Sequence, residues 1–373
     1  MEKQRLDRVK KSLETIVEKA LADGVFSGVA VGVYQYRKGT EHRLIINRGQ
    51  TRGDEPGADI TADTFFDLAS LTKPLCTVLS ILCLLQKNEI KWDTKIFDIL
   101  LYDIPSEFID ITIDQLLTHS AGLIAYKPVY QSFAPVPSSE NKEKIIRDFL
   151  QEQLVYPPGS SCLYSDIGFM LLGALIERVS ATTVDKFFRS EIAAPLSIQE
   201  KVQFRPLPQT DQKEKNIAAT EHCPWRQKIV QGEVHDEHAW LMKGVAGHAG
   251  LFGTITGMMT LTEHILHQWK GRTTHPGFSN KLLQLALTKK YQDHSWCRGF
   301  DTPAPQGSSA GSYFSEGSVG HLGYTGTSFW IDPEQEVVVV LLSNRVHPTR
   351  ENEQIRQFRP LLHNRVREAL RKK

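Results

Sequence analysis

Apolar residues recur at helical spacing over residues 4–22, at Leu6, Val9, Leu13, Ile16, Val17, Ala20 and Leu21, and Gly24 ends the run. The spacing predicts a helix at the start of the chain. Two strand-like runs follow, Gly28 to Tyr36 and His42 to Arg48, with Lys38-Gly39 between them, a hairpin pattern. From about 70 to 200 helical patterns dominate. Thr77–Gln86 is strongly apolar, and Thr112–Thr118 is a short helix entering the turn His119-Ser120-Ala121-Gly122. Residues 124–140 hold three prolines and read as a long surface loop. Helices are expected at Asn141–Gln153, Asp166–Val179 and Thr183–Ala193.

Residues 203–240 show no clear period. The glycine-rich GVAGHAGLFG from 244 precedes a helical pattern that runs to about Trp269. Near the end, HLGYTGTSFWID and EVVVVLLSN read as two strands joined at Pro333-Glu334-Gln335, and a charged helix covers roughly 349–371. Strands at both ends with helices between imply an α/β (α+β) fold. One antiparallel sheet is formed from both chain ends and flanked by the terminal helices, with an inserted mostly helical region. The expectation is one domain over 1–373, with an α/β part of about 1–65 and 243–373 and a helical part of about 66–242. The cleft between the two parts is the natural ligand site.

Composition sharpens this picture in three places. Hydrophobic residues make up 40% and charged residues 23%, enough for a real core. The formal net charge of +1 gives no electrostatic footprint for nucleic acid or an anionic membrane. The charged N-terminus lacks the apolar stretch of a signal peptide, and no segment reads as a membrane span, so a cytoplasmic protein is expected. Five cysteines, an odd count without CxxC spacing, fit reduced thiols rather than a disulfide framework.

The candidate chemistry begins at Ser70-Leu71-Thr72-Lys73. On a helix, residues three apart share a face, so this spacing sets an ammonium beside a hydroxyl. A serine hydroxyl needs a base to become a nucleophile, and a desolvated lysine can serve. Pro74 is tolerated only in a first turn, so the helix through Leu85 must start near Ser70, at its positive end. The same four residues also fit an N-cap serine beside a solvated lysine. A second S-x-x-K, Ser139 to Lys142, is polar and reads as a helix N-cap. Tyr164-Ser165-Asp166 opens an apolar helix, where Tyr164 can relay a proton or simply pack; a second Tyr-x-Asp stands at Tyr291 and Asp293. His321-Leu322-Gly323 opens a strand in which the glycine signals close backbone approach.

In order and spacing these elements resemble the beta-lactamase-related serine hydrolases: class C beta-lactamases, DD-carboxypeptidases and related esterases. Ser70 to Lys73 looks like the family's S-x-x-K, Tyr164 to Asp166 like its Y-x-N, and His321 to Gly323 like its K-T-G. LLTHSAGL at 116–123, YPPGSSCLYSDIGFMLLG at 156–173 and AGHAGLFGT at 246–254 add to the likeness. The resemblance implies that Lys73 and Tyr164 deprotonate Ser70, and that the amides of Ser70 and Tyr324 hold the oxyanion. It also implies that no metal or organic cofactor is needed. The partner implied is a small-molecule or peptide substrate, and an acyl-enzyme passes its acyl group to water. Acyl transfer to another acceptor and a non-catalytic sensor role share the same motifs. Asp166 in place of Asn can only accept hydrogen bonds when ionised. His321 in place of Lys is largely neutral at pH 7, which implies weaker dependence on a substrate carboxylate.

Other residues are set aside. His235-Asp236-Glu237-His238 and His264/His267 lack a third metal ligand at a recognised spacing, and Val234–Ala239, which precedes the glycine-rich run, fits a cleft wall but reads better as surface loop. His119 and Ser120 read as the end of a short helix, and Trp240 and Trp330 as core or cleft wall.

Overall fold

The computed structural model describes residues 2–208, 216–291 and 294–371, so Asp293 lies outside the described residues. The chain opens with helix α1 (Glu2–Ala22) and the hairpin β1 (Gly28–Arg37) and β2 (Thr40–Gly49). The helical part carries α2 (Leu79–Gln86) and α3 (Asp166–Ser180). Then come α4 (Ile255–Trp269), the strands β3 (Val319–Leu322), β4 (Ser328–Asp332) and β5 (Val337–Ser343), and the closing helix α5 (Ile355–Arg371). The sheet order is β2-β1-β5-β4-β3, with every pair antiparallel. The two chain ends meet where β1 pairs β5, from Val29 opposite Ser343 to Gln35 opposite Val337.

Period-two alternation sorts the side chains of these strands between two cores. Val29, Val31 and Val33 with Val337, Val339 and Leu341 join Val9, Leu13 and Val17 of α1 and Phe358, Leu362 and Val366 of α5. Ala30 and Tyr34 with Val338, Val340 and Leu342 join Ile255, Met258 and Met259 of α4 and the helical part. Both faces are covered, which explains why EVVVVLLSN is a continuous apolar run rather than an alternating one. Gly32 makes room for α4, since a Cβ there would lie 2.4 Å from the Met259 sulfur.

Three expectations need correction. HLGYTGTSFWID is not one strand: it breaks into β3 and β4 around a turn at 323–327, in which Gly323 N–H donates to Thr327 O and Gly326 N–H to Gly323 O. Ser138, not Ser139, caps the helix Ser139–Phe149, its side chain accepting from Asn141 N–H. The segment 234–239 is not surface loop: Val234, His235, Glu237, His238 and Ala239 are all buried. A small sheet of Phe66–Asp67, Leu251–Gly253 and Val202–Phe204 also escaped the sequence reading. Ala69–Gln86 is the one unbent helical stretch among the described residues long and apolar enough to cross a membrane, and most of it is buried.

Candidate active site

Ser70 stands where the small sheet hands over to the helix. Phe66–Asp67 ends in the sheet, and Asp67 Oδ1 accepts the Ala69 N–H at 2.8 Å. Ala69 takes a left-handed backbone, φ 47°, uncommon for a residue with a side chain. The helix begins at Ala69–Leu71, as Pro74 requires, but its opening turn is 3₁₀ and Lys73–Val78 is π-helical before α2 continues. π-Helical turns are rare and concentrate at functional sites. Thr72 Oγ1 donates to Ala69 O and accepts from Leu251 N–H, pinning the turn to the small sheet.

Lys73 is fully buried beneath Ser70. Its Nζ lies 2.9 Å from Ser70 Oγ, 3.1 Å from His248 O and 2.6 Å from Asp166 Oδ1. The Tyr164 ring centroid is 5.0 Å from the same nitrogen. Burial is the largest influence on this lysine and pulls its pKa down. The negative charge of Asp166 and its hydrogen bond to Nζ outweigh it, so the net direction is up and the resting group is an ammonium. The His248 carbonyl arrives through the glycine-rich segment, which crosses α3 at backbone contact. A Cβ on Gly247 would lie 2.1 Å from Phe169 O, and one on Gly173 2.8 Å from Gly247 N.

Tyr164 stacks among rings: His119 at 4.7 Å, Trp296 at 5.2 Å and His321 at 6.0 Å between centroids. Burial raises its pKa above the usual phenol value despite the opposing charge of Lys73, so it rests as the phenol. His321 is buried, and its Nδ1–H donates to Leu322 O at 2.8 Å. Its Nε2 has no partner among the described residues. Burial, then the Lys73 charge, push its pKa down to about 3, so the ring is neutral and offers a lone pair. Gly323 brings the turn against the segment that leads into Ser70: a Cβ there would meet Thr327 Oγ1 at 2.0 Å and Leu68 O at 2.7 Å. The next residue, Tyr324, has a backbone N–H that makes no hydrogen bond among the described residues. A cleft of about 360 Å³ is lined by Ser70, Tyr164, Trp296, His321, Gly323 and Tyr324, and Arg345, Arg356 and Arg359 also contribute to its wall.

All seven residues singled out from the sequence therefore stand together. In comparison with known proteins, a profile described as Beta-lactamase matches residues 13–363. The chain belongs to the beta-lactamase family. Its enzymes, and this chain among them, are serine hydrolases. A putative D-alanyl-D-alanine carboxypeptidase of Escherichia coli (strain K12) is 31% identical over 309 residues, 77% of this chain and 70% of that protein. An N-acetylmuramyl-L-alanine amidase of Bacillus subtilis (strain 168) is 28% identical over 371 residues, 90% of this chain and 81% of that protein. Among solved structures, EstCE1, a hydrolase with promiscuous acyltransferase activity, superposes with a TM-score of 0.74 at 19% identity, covering 98% of this chain and 99% of that one.

Within this beta-lactamase-family site the structure adds residues that the sequence reading passed over. His119, at φ 56°, accepts the Ser165 N–H on Nδ1 at 3.2 Å, which puts its proton on Nε2, and its ring supports Tyr164. Trp296 packs on Tyr164 and His321. The buried 234–239 segment belongs to a second polar layer. Asp236 Oδ1 bonds His248 Nε2 at 2.9 Å. Arg350 joins Glu221 and Glu237, and His235 reaches Glu221 at 2.9 Å while its ring stacks on Tyr324. Glu221, Cys223 and Glu237 converge within 4.8 Å, but the Arg350 guanidinium already bonds both carboxylates. His264 and His267 lie on α4: His264 faces His275, and His267 bonds the Tyr34 hydroxyl at 2.7 Å.

Proposed function

We propose that this protein hydrolyses an amide or ester through a covalent acyl-enzyme on Ser70. The observation that carries the reading is the fully buried Lys73 Nζ 2.9 Å from Ser70 Oγ, with Tyr164 stacked over it. In the fraction of molecules where Lys73 is neutral, the Ser70 proton moves to Nζ, directly or through the Tyr164 hydroxyl. Ser70 Oγ then bonds the substrate carbonyl carbon. The new oxyanion sits between the N–H groups of Ser70 and Tyr324. Collapse breaks the bond to the leaving group, which takes the proton back from Lys73 or Tyr164. Water, deprotonated by the same pair, attacks the acyl-enzyme and frees Ser70. The names of the two relatives, a putative D-alanyl-D-alanine carboxypeptidase and an N-acetylmuramyl-L-alanine amidase, favour a D-amino-acid peptide or muropeptide amide as the physiological bond.

Intact-mass spectrometry after incubation with a fluorophosphonate, and separately with a penicillin, tests this, with Ser70→Ala as control. A fluorophosphonate adduct on Ser70 is expected, and penicillin acylation would place the substrate among D-alanyl peptides. Folded protein that takes neither adduct would refute the covalent reading.

A further inference from the structure

The free N–H of Tyr324 belongs to the peptide group whose carbonyl is that of Gly323, and this carbonyl has an unusual partner. Arg359 of α5 reaches through the sheet edge and donates from Nη2 to Gly323 O at 2.7 Å and to Thr327 O at 2.8 Å. Thr327 O also accepts the Gly323 N–H at 2.8 Å, so one guanidinium nitrogen bridges both ends of the turn. We propose that Arg359 is a positioning residue for the reaction at Ser70, its buried cation fixing and polarising the peptide whose N–H receives the oxyanion. The inference rests on the role given to the Tyr324 amide above.

Two physical arguments support it. The peptide group is planar, so holding its oxygen fixes the opposite direction of its N–H. The turn needs such a hold, because glycines at 323 and 326, the latter at φ 112°, let the chain between them rotate. A charged donor on an amide oxygen also draws electron density from the amide nitrogen and makes its N–H a stronger donor. Arg359 is suited to this because its charge is not spent elsewhere. It is 7% exposed, and no carboxylate pairs with it among the described residues. Burial, then the like charges of Arg345 and Arg356, bring its pKa down to about 9. A buried cation without a counter-ion is costly unless carbonyl dipoles answer it, and the two carbonyls it meets are those of the turn. Arg345 grips the neighbouring peptide, its Nε donating to Tyr324 O at 2.8 Å.

The test compares wild type with Arg359→Gln, which keeps a donor but no charge, and Arg359→Lys, which keeps the charge. kcat and KM are measured with p-nitrophenyl acetate, Ser70 labelling rates with a fluorophosphonate, and melting temperatures alongside. Removing an oxyanion donor costs about 10²–10³-fold in kcat, so losing only its polarisation should cost about 10–100-fold. Arg359→Gln is expected to lose that much kcat and labelling rate with KM within about threefold, and Arg359→Lys to recover most of it. Equal losses in Gln and Lys, or a Gln variant with kcat within twofold of wild type, overturn the inference. If Arg359→Gln does not fold, the pH profile of Arg359→Lys decides: kcat that falls at unchanged KM as the buried lysine loses its proton, at a pH where wild type is still active, upholds the proposal, and a kcat profile that tracks wild type overturns it. Wild-type protein that neither labels at Ser70 nor turns over the ester refutes the Ser70 reading itself and takes the role of Arg359 with it.

Discussion

Replacing Asp166 by Asn removes the carboxylate that sits 2.6 Å from the Lys73 ammonium while leaving an amide of nearly the same shape. Two unit charges at that separation attract by roughly 6 kcal/mol at an effective dielectric of about 20. Asp166 keeps 21% of its side chain in water, and the hydration it regains offsets much of that attraction. About 2–3 kcal/mol remains as the net bias toward the ammonium. The burial of Lys73, now less opposed, then favours the free amine. A factor of ten corresponds to about 1.4 kcal/mol, so the neutral fraction rises about 30- to 150-fold at pH values where both forms of the enzyme are mostly protonated. If the neutral amine is the base for Ser70, labelling by a fluorophosphonate rises with pH in the wild type. In Asp166→Asn that rising limb moves to lower pH, with labelling at pH 6 faster by about the same 30- to 150-fold. Stopped-flow or quenched labelling across a pH series reads this directly, with circular dichroism confirming the fold. A limb that stays in place or moves to higher pH refutes the reasoning, because Lys73 would then be needed as a cation and Asp166 as its holder.

Two further consequences concern the turn and the buried histidines. Gly323→Ala drives a Cβ into Thr327 Oγ1 and Leu68 O, and should lower kcat by at least about 10²-fold with the far-ultraviolet spectrum intact; activity within threefold of wild type would contradict the close approach. His363, fully buried with its Nδ1–H on Ser309 O, is held by burial at a pKa of about 4. It is neutral when folded and charges near 6.5 when unfolded, so its contribution is complete above about pH 6.5 and is lost as pH falls toward 4, about 3 kcal/mol in all. His363→Gln should flatten the stability profile over that window in urea unfolding, and equal slopes would show that the ring titrates normally.

The parts of the molecule that the sequence disclosed are those governed by local rules. The β1–β2 hairpin follows from strand runs around Lys38-Gly39, and the apolar run in β5 from burial on both faces. Ser70 and Lys73 are three residues apart on one helix, and Pro74 marks where that helix begins. Gly323 is readable because only a residue without a side chain permits the backbone approach it makes. What escaped depends on partners far away in the chain. The 234–239 segment carries four polar residues in a row and looks exposed. It is buried because Arg350 meets Glu237 and because His248 meets Asp236, contacts that no local pattern announces. His119 does follow the end of a short helix, Ile113–Leu117, as its sequence suggests, but its packing against Tyr164 is visible only in the fold. The turn at 323–327 hid inside a β-rich string because its glycines at 323 and 326 also fit close backbone approach within one strand, and the Thr327 and Arg359 contacts that close it lie outside any local pattern.

The two departures from the usual motifs act on one quantity, the charge next to Ser70. Asp166 neutralises Lys73 at 2.6 Å, and His321 supplies a neutral ring where the usual motif has a cation. The motif residues beside Ser70 therefore carry no net charge in the resting protein. Of the other cations lining the cleft, Arg356 pairs with Glu353, while Arg359 is turned to Gly323 O and Thr327 O and Arg345 to Tyr324 O, Arg350 O and Asn352 O. Their field acts on the peptide dipoles of the turn. An electrostatic pull on a distant substrate carboxylate falls off through solvent within about 8 Å at physiological salt. A field aimed through a hydrogen-bonded peptide at the oxyanion is not screened in that way. On the proposed acyl-enzyme route, positive charge placed in this way favours the transition state over the encounter with an anionic substrate.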